Sequence, residues 1–193
     1  MKLTIIILFS ILFSGCDLFS TRSAEAPTQS RANFQQAITP QLVIENLVNS
    51  LQDKNVVNYL ACLSNPAYTK NVFTFSPSSP ASSQYSSFSD WSEKSEEQYF
   101  NNLVVKIPSD LPITLELTNE SYTPLGDSTI YSASYTLNVP TQDQSLPSTY
   151  QGTLIFGMIR DSRSIWCIYN WQDSKSSSSS LPTWSDLKGR MNY

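Results

Sequence analysis

The sequence predicts an α+β domain in which about three helices come first and a curved antiparallel sheet of about four main strands packs over them. Three observations carry this. Between residues 39 and 63 and again between 91 and 104 apolar side chains recur at three- and four-residue spacing, whereas in the runs between residues 113 and 171 they recur at every second position. The alternating runs are separated by short connections, which join antiparallel neighbours. The chain of 193 residues is 40% hydrophobic and 12% aromatic, enough apolar surface to build one core.

The N-terminus is of a different kind. Lys2 is followed by an apolar run, Leu3 to Phe13, broken only by Thr4 and Ser10, and then by Ser14-Gly15-Cys16. That is the outline of a secretory signal over residues 1–15, too short to cross a bilayer core, which takes about 20 residues. The stretch Leu12-Phe13-Ser14-Gly15-Cys16 resembles the lipobox of bacterial lipoproteins. The resemblance implies cleavage before Cys16, a thioether-linked diacylglycerol on that cysteine, and a protein anchored in the bacterial cell envelope, with inner and outer membrane both open. Each buried methylene of such acyl chains contributes about 0.8 kcal/mol, so two or three chains hold a protein durably. Residues 16–38, rich in Ser, Thr, Ala and Gln with no apolar period, read as a tether.

The domain, residues 39–193, opens at Thr39-Pro40, a capping residue followed by proline at the first helical position. Val43, Ile44, Leu47, Val48 and Leu51 make one apolar stripe; Asp53-Lys54-Asn55 interrupts it; Val56, Tyr59, Leu60 and Leu63 make a shorter helix that stops before Pro66. Val72, Phe73 and Phe75 suit a short strand, and Ser76 to Ser89 reads as a Ser- and Pro-rich loop. A third helix is expected from about Trp91, capped by Asp90, with Glu93, Glu96 and Glu97 near its positive end and Tyr99, Phe100, Leu103 and Val104 as its apolar face. Ile113, Leu115 and Leu117, and then Tyr131, Ala133, Tyr135, Leu137 and Val139, alternate with polar residues across the turn at Pro124 to Asp127. Tyr150 to Ile159 is apolar on both faces and is placed in mid-sheet; Ile165 to Trp171 follows a tight connection. Ser176 to Ser180 reads as a loop and Pro182 to Tyr193 as a turn or short helix near Trp184.

This order resembles the NTF2-like (SnoaL-like) superfamily, and more narrowly lipoproteins of that fold, over residues 39–193. The residues that carry it are the helical pair with its Asp53-Lys54-Asn55 joint and Tyr59, and the ending Trp166-Cys167-Ile168-Tyr169-Asn170-Trp171-Gln172-Asp173 with Trp184-Ser185-Asp186-Leu187-Lys188. The resemblance implies a cone of bent sheet closed by helices, with a pocket at the open end. The superfamily includes enzymes, binders and assembly modules, so the fold leaves function open.

Histidine is absent, which removes Ser-His triads, imidazole bases and the usual zinc sites. There is no glycine-rich phosphate loop and no Cys-x-x-Cys, so neither cofactor nor metal is expected. A net charge of −4 without a basic cluster carries no nucleic-acid footprint. What survives is carboxylate and phenol chemistry: Glu93, Glu96 or Glu97 as base with Tyr131 or Tyr135 as donor, against the plainer reading of a solvated helix start and ordinary sheet core. Trp91, Trp166, Trp171 and Trp184 with Tyr59 either line a pocket or fill the core. Cys62 and Cys167 either pair, as export permits, or remain as buried thiols. The leading expectation is a lipid-anchored, non-catalytic module that binds a small ligand or an envelope protein. The alternatives are a carboxylate-dependent isomerase or dehydratase of the ketosteroid-isomerase type and a structural protein that forms homodimers.

Overall fold

The computed structural model describes residues 33–192. Cys16, the signal segment and the tether as far as residue 32 lie outside the described residues. Helix α1, Pro40–Gln52, begins as expected: the Thr39 hydroxyl oxygen accepts the Leu42 N–H at 3.4 Å, with Pro40 in the first turn. It buries Val43, Ile44, Leu47 and Leu51. At the joint Lys54 takes φ 53°, a left-handed turn, and its ammonium donates to the carbonyls of Pro108, Ser109 and Leu111 at 2.7, 2.9 and 2.8 Å. Asn55 then caps α2, Val56–Ala61, accepting the Asn58 N–H at 3.0 Å.

The segment expected to be a loop is ordered. Strand β1, Thr74–Ser76, leads into the short helix α3, Ser79–Gln84, and a 3₁₀ turn, Ser86–Asp90, which seat Ala81 and Phe88 in the core. Helix α4, Glu93–Val104, is capped by Ser92 rather than Asp90, since the Ser92 N–H and the Ser95 hydroxyl form a capping box at 3.2 Å.

Strands β2 (Thr114–Leu125), β3 (Ser128–Asn138), β4 (Thr149–Arg160) and β5 (Trp166–Ser174) form the antiparallel meander, and helix α5, Trp184–Met191, ends the described chain. The order is β1-β5-β4-β3-β2, with β4 central as its two apolar faces require. The sheet is mixed, not wholly antiparallel, because β1 pairs parallel to β5 through Phe75 and Trp171. Burial of Phe73 and Phe75 brings β1 to that edge, and the chain crosses through α3 and α4 before re-entering at the opposite edge as β2.

Two irregularities bend the sheet, one between Gly157 and Met158 and one between Thr118 and Ser121. The second reverses the alternation of β2. Leu115 and Leu117, opposite Leu137 and Tyr135, face the concave side; past the bulge so does Tyr122, opposite Tyr131. Asn119, at φ 54°, supplies the extra residue, a left-handed position that asparagine tolerates well.

Candidate functional site

The concave face of the sheet and the helices enclose a core in which two ionised side chains meet. Glu96 on α4 and Lys188 on α5, both with wholly buried side chains, form an ion pair between Oε1 and Nζ. Glu96 Oε1 also accepts the indole N–H of Trp91 at 2.8 Å, and Oε2 accepts the Tyr59 hydroxyl at 2.7 Å. The ammonium lies 3.5 Å from the ring centre of Trp171 and 4.0 Å from that of Phe75. Tyr99 stands at 5.6 Å, and Trp91 and Trp184 at 5.9 Å. Five rings thus present their faces or edges to one cation, a cation–π environment from which water is excluded. Burial pulls the Lys188 ammonium below the ordinary lysine value, and Glu96 counters part of that pull.

A second network holds α5 against the sheet. Asp173 on β5 accepts the Tyr135 hydroxyl at 2.7 Å, the Ser185 N–H at 2.7 Å and the Ser185 hydroxyl. The Tyr135 oxygen accepts the Trp184 N–H at 2.7 Å, and the Trp184 indole N–H reaches the Tyr99 oxygen at 2.8 Å. Thr183 caps the helix through Asp186 and meets the Ser78 hydroxyl at 2.9 Å. Burial raises the Asp173 carboxyl; hydrogen bonds from Ser185 and Tyr135 oppose it. Both oxygens of Glu96 and both of Asp173 are therefore engaged inside the core, and neither carboxylate is placed to take a proton from a bound molecule.

A groove of about 670 Å³ lies elsewhere, between α1 and the edge strand β2. Gln41, Ile44, Glu45, Val48 and Asn49 make the α1 wall; Leu115, Leu117, Glu120 and Tyr122 make the β2 wall. Ile44 and Leu115 are buried beneath it, while Glu45 and Glu120 are exposed at its rim. The Tyr131 hydroxyl donates to Glu120 Oε2 at 2.8 Å, and the Tyr122 and Tyr131 rings meet with centres 4.7 Å apart.

The structure brings Trp91, Trp171, Trp184 and Tyr59 together, but around Lys188 and Glu96, where they fill the core. Trp166 is not among them; its ring packs under the Arg160 guanidinium at 5.2 Å. The expected aromatic pocket is thus occupied by the protein's own side chains, because Lys188 takes the place a ligand would need. Glu96 is neither a solvated helix start nor a free base, Glu93 is half-buried and Glu97 is exposed. Tyr131 does meet a carboxylate, that of Glu120, which sequence reasoning did not single out.

The disulfide weighed between Cys62 and Cys167 is not formed: both are buried free thiols. Each turns to a carbonyl of its own surroundings, Cys62 to Asn58 at 3.4 Å and Cys167 to Ile159 at 3.6 Å. Burial pushes the Cys62 thiol up and the Cys167 thiol up to about 11, so both are unreactive at neutral pH. Among the described residues no group of three metal-ligating side chains is assembled, and no helix is long and apolar enough to cross a membrane.

No family model matches the chain, and no curated protein matches its sequence. Solved structures do share its fold. A protein of Novosphingobium aromaticivorans, described as a candidate aromatic ring hydroxylase, superposes with a TM-score of 0.55 at 13% identity over 77% of this chain and 92% of that one. A candidate dehydratase of the NTF2-like family from Streptomyces avermitilis gives 0.54 at 10% identity over 72% and 94%. An NTF2-like protein of Cytophaga hutchinsonii gives 0.50 at 10% identity over 69% and 93%. At such identities the likeness is one of fold alone: the domain has the NTF2-like fold.

The buried phenols fix the response to alkali. Tyr59, Tyr99 and Tyr135 are all raised well above 10.0, by burial first; Glu96 adds to the rise at Tyr59 and Tyr99 and Asp173 at Tyr135, while hydrogen bonds from Trp184 oppose it at Tyr99 and Tyr135. Above 10.0 the unfolded chain loses protons that the folded one keeps, so stability is full below that pH and falls as pH rises. Three such groups remove about 4 kcal/mol per pH unit, and a typical stability of about 5–15 kcal/mol is consumed within roughly one to four units. Tyrosinate absorbance is expected to rise together with loss of circular dichroism. Titration of Tyr59, Tyr99 or Tyr135 near 10.0 with the fold intact, read by replacing each with Phe, would contradict this burial.

Proposed function

We propose that this chain is a lipid-anchored protein of the bacterial cell envelope whose NTF2-like domain is a non-catalytic binding module, with its ligand site in the groove between α1 and β2. The observation that carries the reading is the occupation of the domain interior. Where a substrate would sit in an open cone, Lys188 and Glu96 are paired inside a wall of aromatic rings. A carboxylate-dependent isomerase or dehydratase requires an acid beside a tyrosine in an apolar pocket that substrate can enter. Glu96 stands beside Tyr59, yet it is fully buried with both oxygens engaged.

The groove has what a small-molecule site needs: a concave aliphatic floor, a few convergent polar groups and a volume within the usual range of about 300–1,000 Å³. Its position suits a tethered protein. The Asn33 carbonyl accepts from Asn49 at 3.2 Å, and Gln35 exchanges two hydrogen bonds with Asn46 at 2.9 and 2.7 Å, so the chain arrives along α1, one wall of the groove.

Two measurements test the two halves. Intact-mass analysis of protein from bacterial membranes is expected to give a chain that starts at Cys16 and carries diacylglycerol, with both features lost in Cys16→Ser; an unlipidated mature chain would refute the anchor. For the groove, the neutral dye Nile red is expected to gain fluorescence on binding. Val48→Arg, which lays a long cationic side chain across the floor, should abolish that gain while leaving the circular dichroism unchanged. Equal fluorescence in both proteins would place the dye elsewhere and remove the groove as the site.

A further inference from the structure

The groove's walls select a class of ligand, and this inference rests on the binding reading above. Its floor is aliphatic, and among the described residues the charged groups that line it are the carboxylates of Glu45 and Glu120, with no lysine or arginine. Neither carboxylate has an ion-pair partner among the described residues. The two arrive from different elements. Glu45 lies on the same stripe of α1 as Gln41, Val48 and Asn49, four residues from the first and the last. Glu120 is turned to the concave side by the bulge at Asn119, and the Tyr131 hydroxyl holds its Oε2 at 2.8 Å.

Tyr122 joins them. Burial pushes its phenol up to about 12, with Glu120 and Glu45 adding to the rise, so both negative charges bear on the same ring, which stays neutral. An anionic head would be repelled from both walls. A neutral ligand would cover the carboxylates without compensating them, which costs desolvation. A cation gains from both acids and from the face of Tyr122.

We propose that the groove binds an amphiphilic organic cation, its alkyl or aryl body on the Ile44, Val48, Leu115 and Leu117 floor and its ammonium or quaternary ammonium head within reach of Glu45, Glu120 and the Tyr122 ring. The floor supplies affinity and the rim supplies selection by charge, an arrangement whose selectivity weakens as salt screens the exposed acids.

The test compares three probes of one chain length, octyltrimethylammonium, octyl glucoside and octanoate, each below its micelle concentration, by calorimetry and by amide shifts in nuclear magnetic resonance. Octyltrimethylammonium is expected to bind at least about tenfold more tightly than octanoate at low salt, with octyl glucoside between them. The preference should collapse in the Glu45→Gln/Glu120→Gln double variant and shrink in high salt, while Glu97→Gln, on an exposed turn of α4 outside the groove, leaves the ranking as it was. Equal binding of all three probes, or tightest binding of octanoate, would overturn the cation class and leave the groove in place. If no probe shifts the amides of Gln41, Asn49 and Tyr122, the groove reading itself fails.

Discussion

The ion pair between Glu96 and Lys188 is the constraint around which the domain is arranged. Two charges withdrawn from water destabilise a fold unless each finds partners, and here most of the partners come from other elements. Tyr59 comes from α2, Trp91 precedes α4, Phe75 lies on β1, Trp171 on β5 and Trp184 on α5 itself. The pair therefore specifies how the short strand β1, the C-terminal helix and the helical layer must meet. The Asp173 network repeats the device at the helix start, where Ser185, Tyr135 and Trp184 hold α5 in the one position that delivers Lys188 to Glu96. A helix of eight residues, too short to be stable alone, becomes a closure for the cone.

That closure fills the interior of the cone. With the interior filled, a groove remains at the edge of the concave face, where β2 runs beside α1 as the last strand of the described sheet. The bulge at Asn119 shapes this remnant: by reversing the alternation of β2 it puts Leu117, Glu120 and Tyr122 on one side, which a regular strand of that sequence would not do. Charge is thus distributed over two places, the Glu96–Lys188 pair inside and the exposed Glu45 and Glu120 at the rim.

Much of the fold was legible in the sequence because its elements obey local rules. The Thr39-Pro40 cap, the α1 stripe, the alternation of β2 and β3 and the two-sided β4 each follow from one spacing. What escaped depended on tertiary contacts. Three residues of β1 cannot declare their partner, and α3 carries no apolar period. Glu120 was hidden because period-two reasoning breaks at a bulge, although an Asn-Glu step inside an alternating run marks the place. The interior pair left a clearer trace. Glu96 shares a helical face with Tyr99, Phe100 and Leu103, and Lys188 shares one with Trp184, Leu187 and Met191, so both charges sit on apolar stripes. Two opposite charges so placed have to meet each other.

The most direct test of this account is a double-mutant cycle on that pair, with Glu96→Leu, Lys188→Met and the double variant compared by chemical denaturation. The account predicts that each single change costs about 3–5 kcal/mol, because it strands a buried charge, and that the double change costs far less than their sum, since an apolar pair can occupy the same space. Single variants that each lose under about 1 kcal/mol and add independently would mean that water reaches these side chains. The interior would then be an open pocket, and the site would have to be sought there instead.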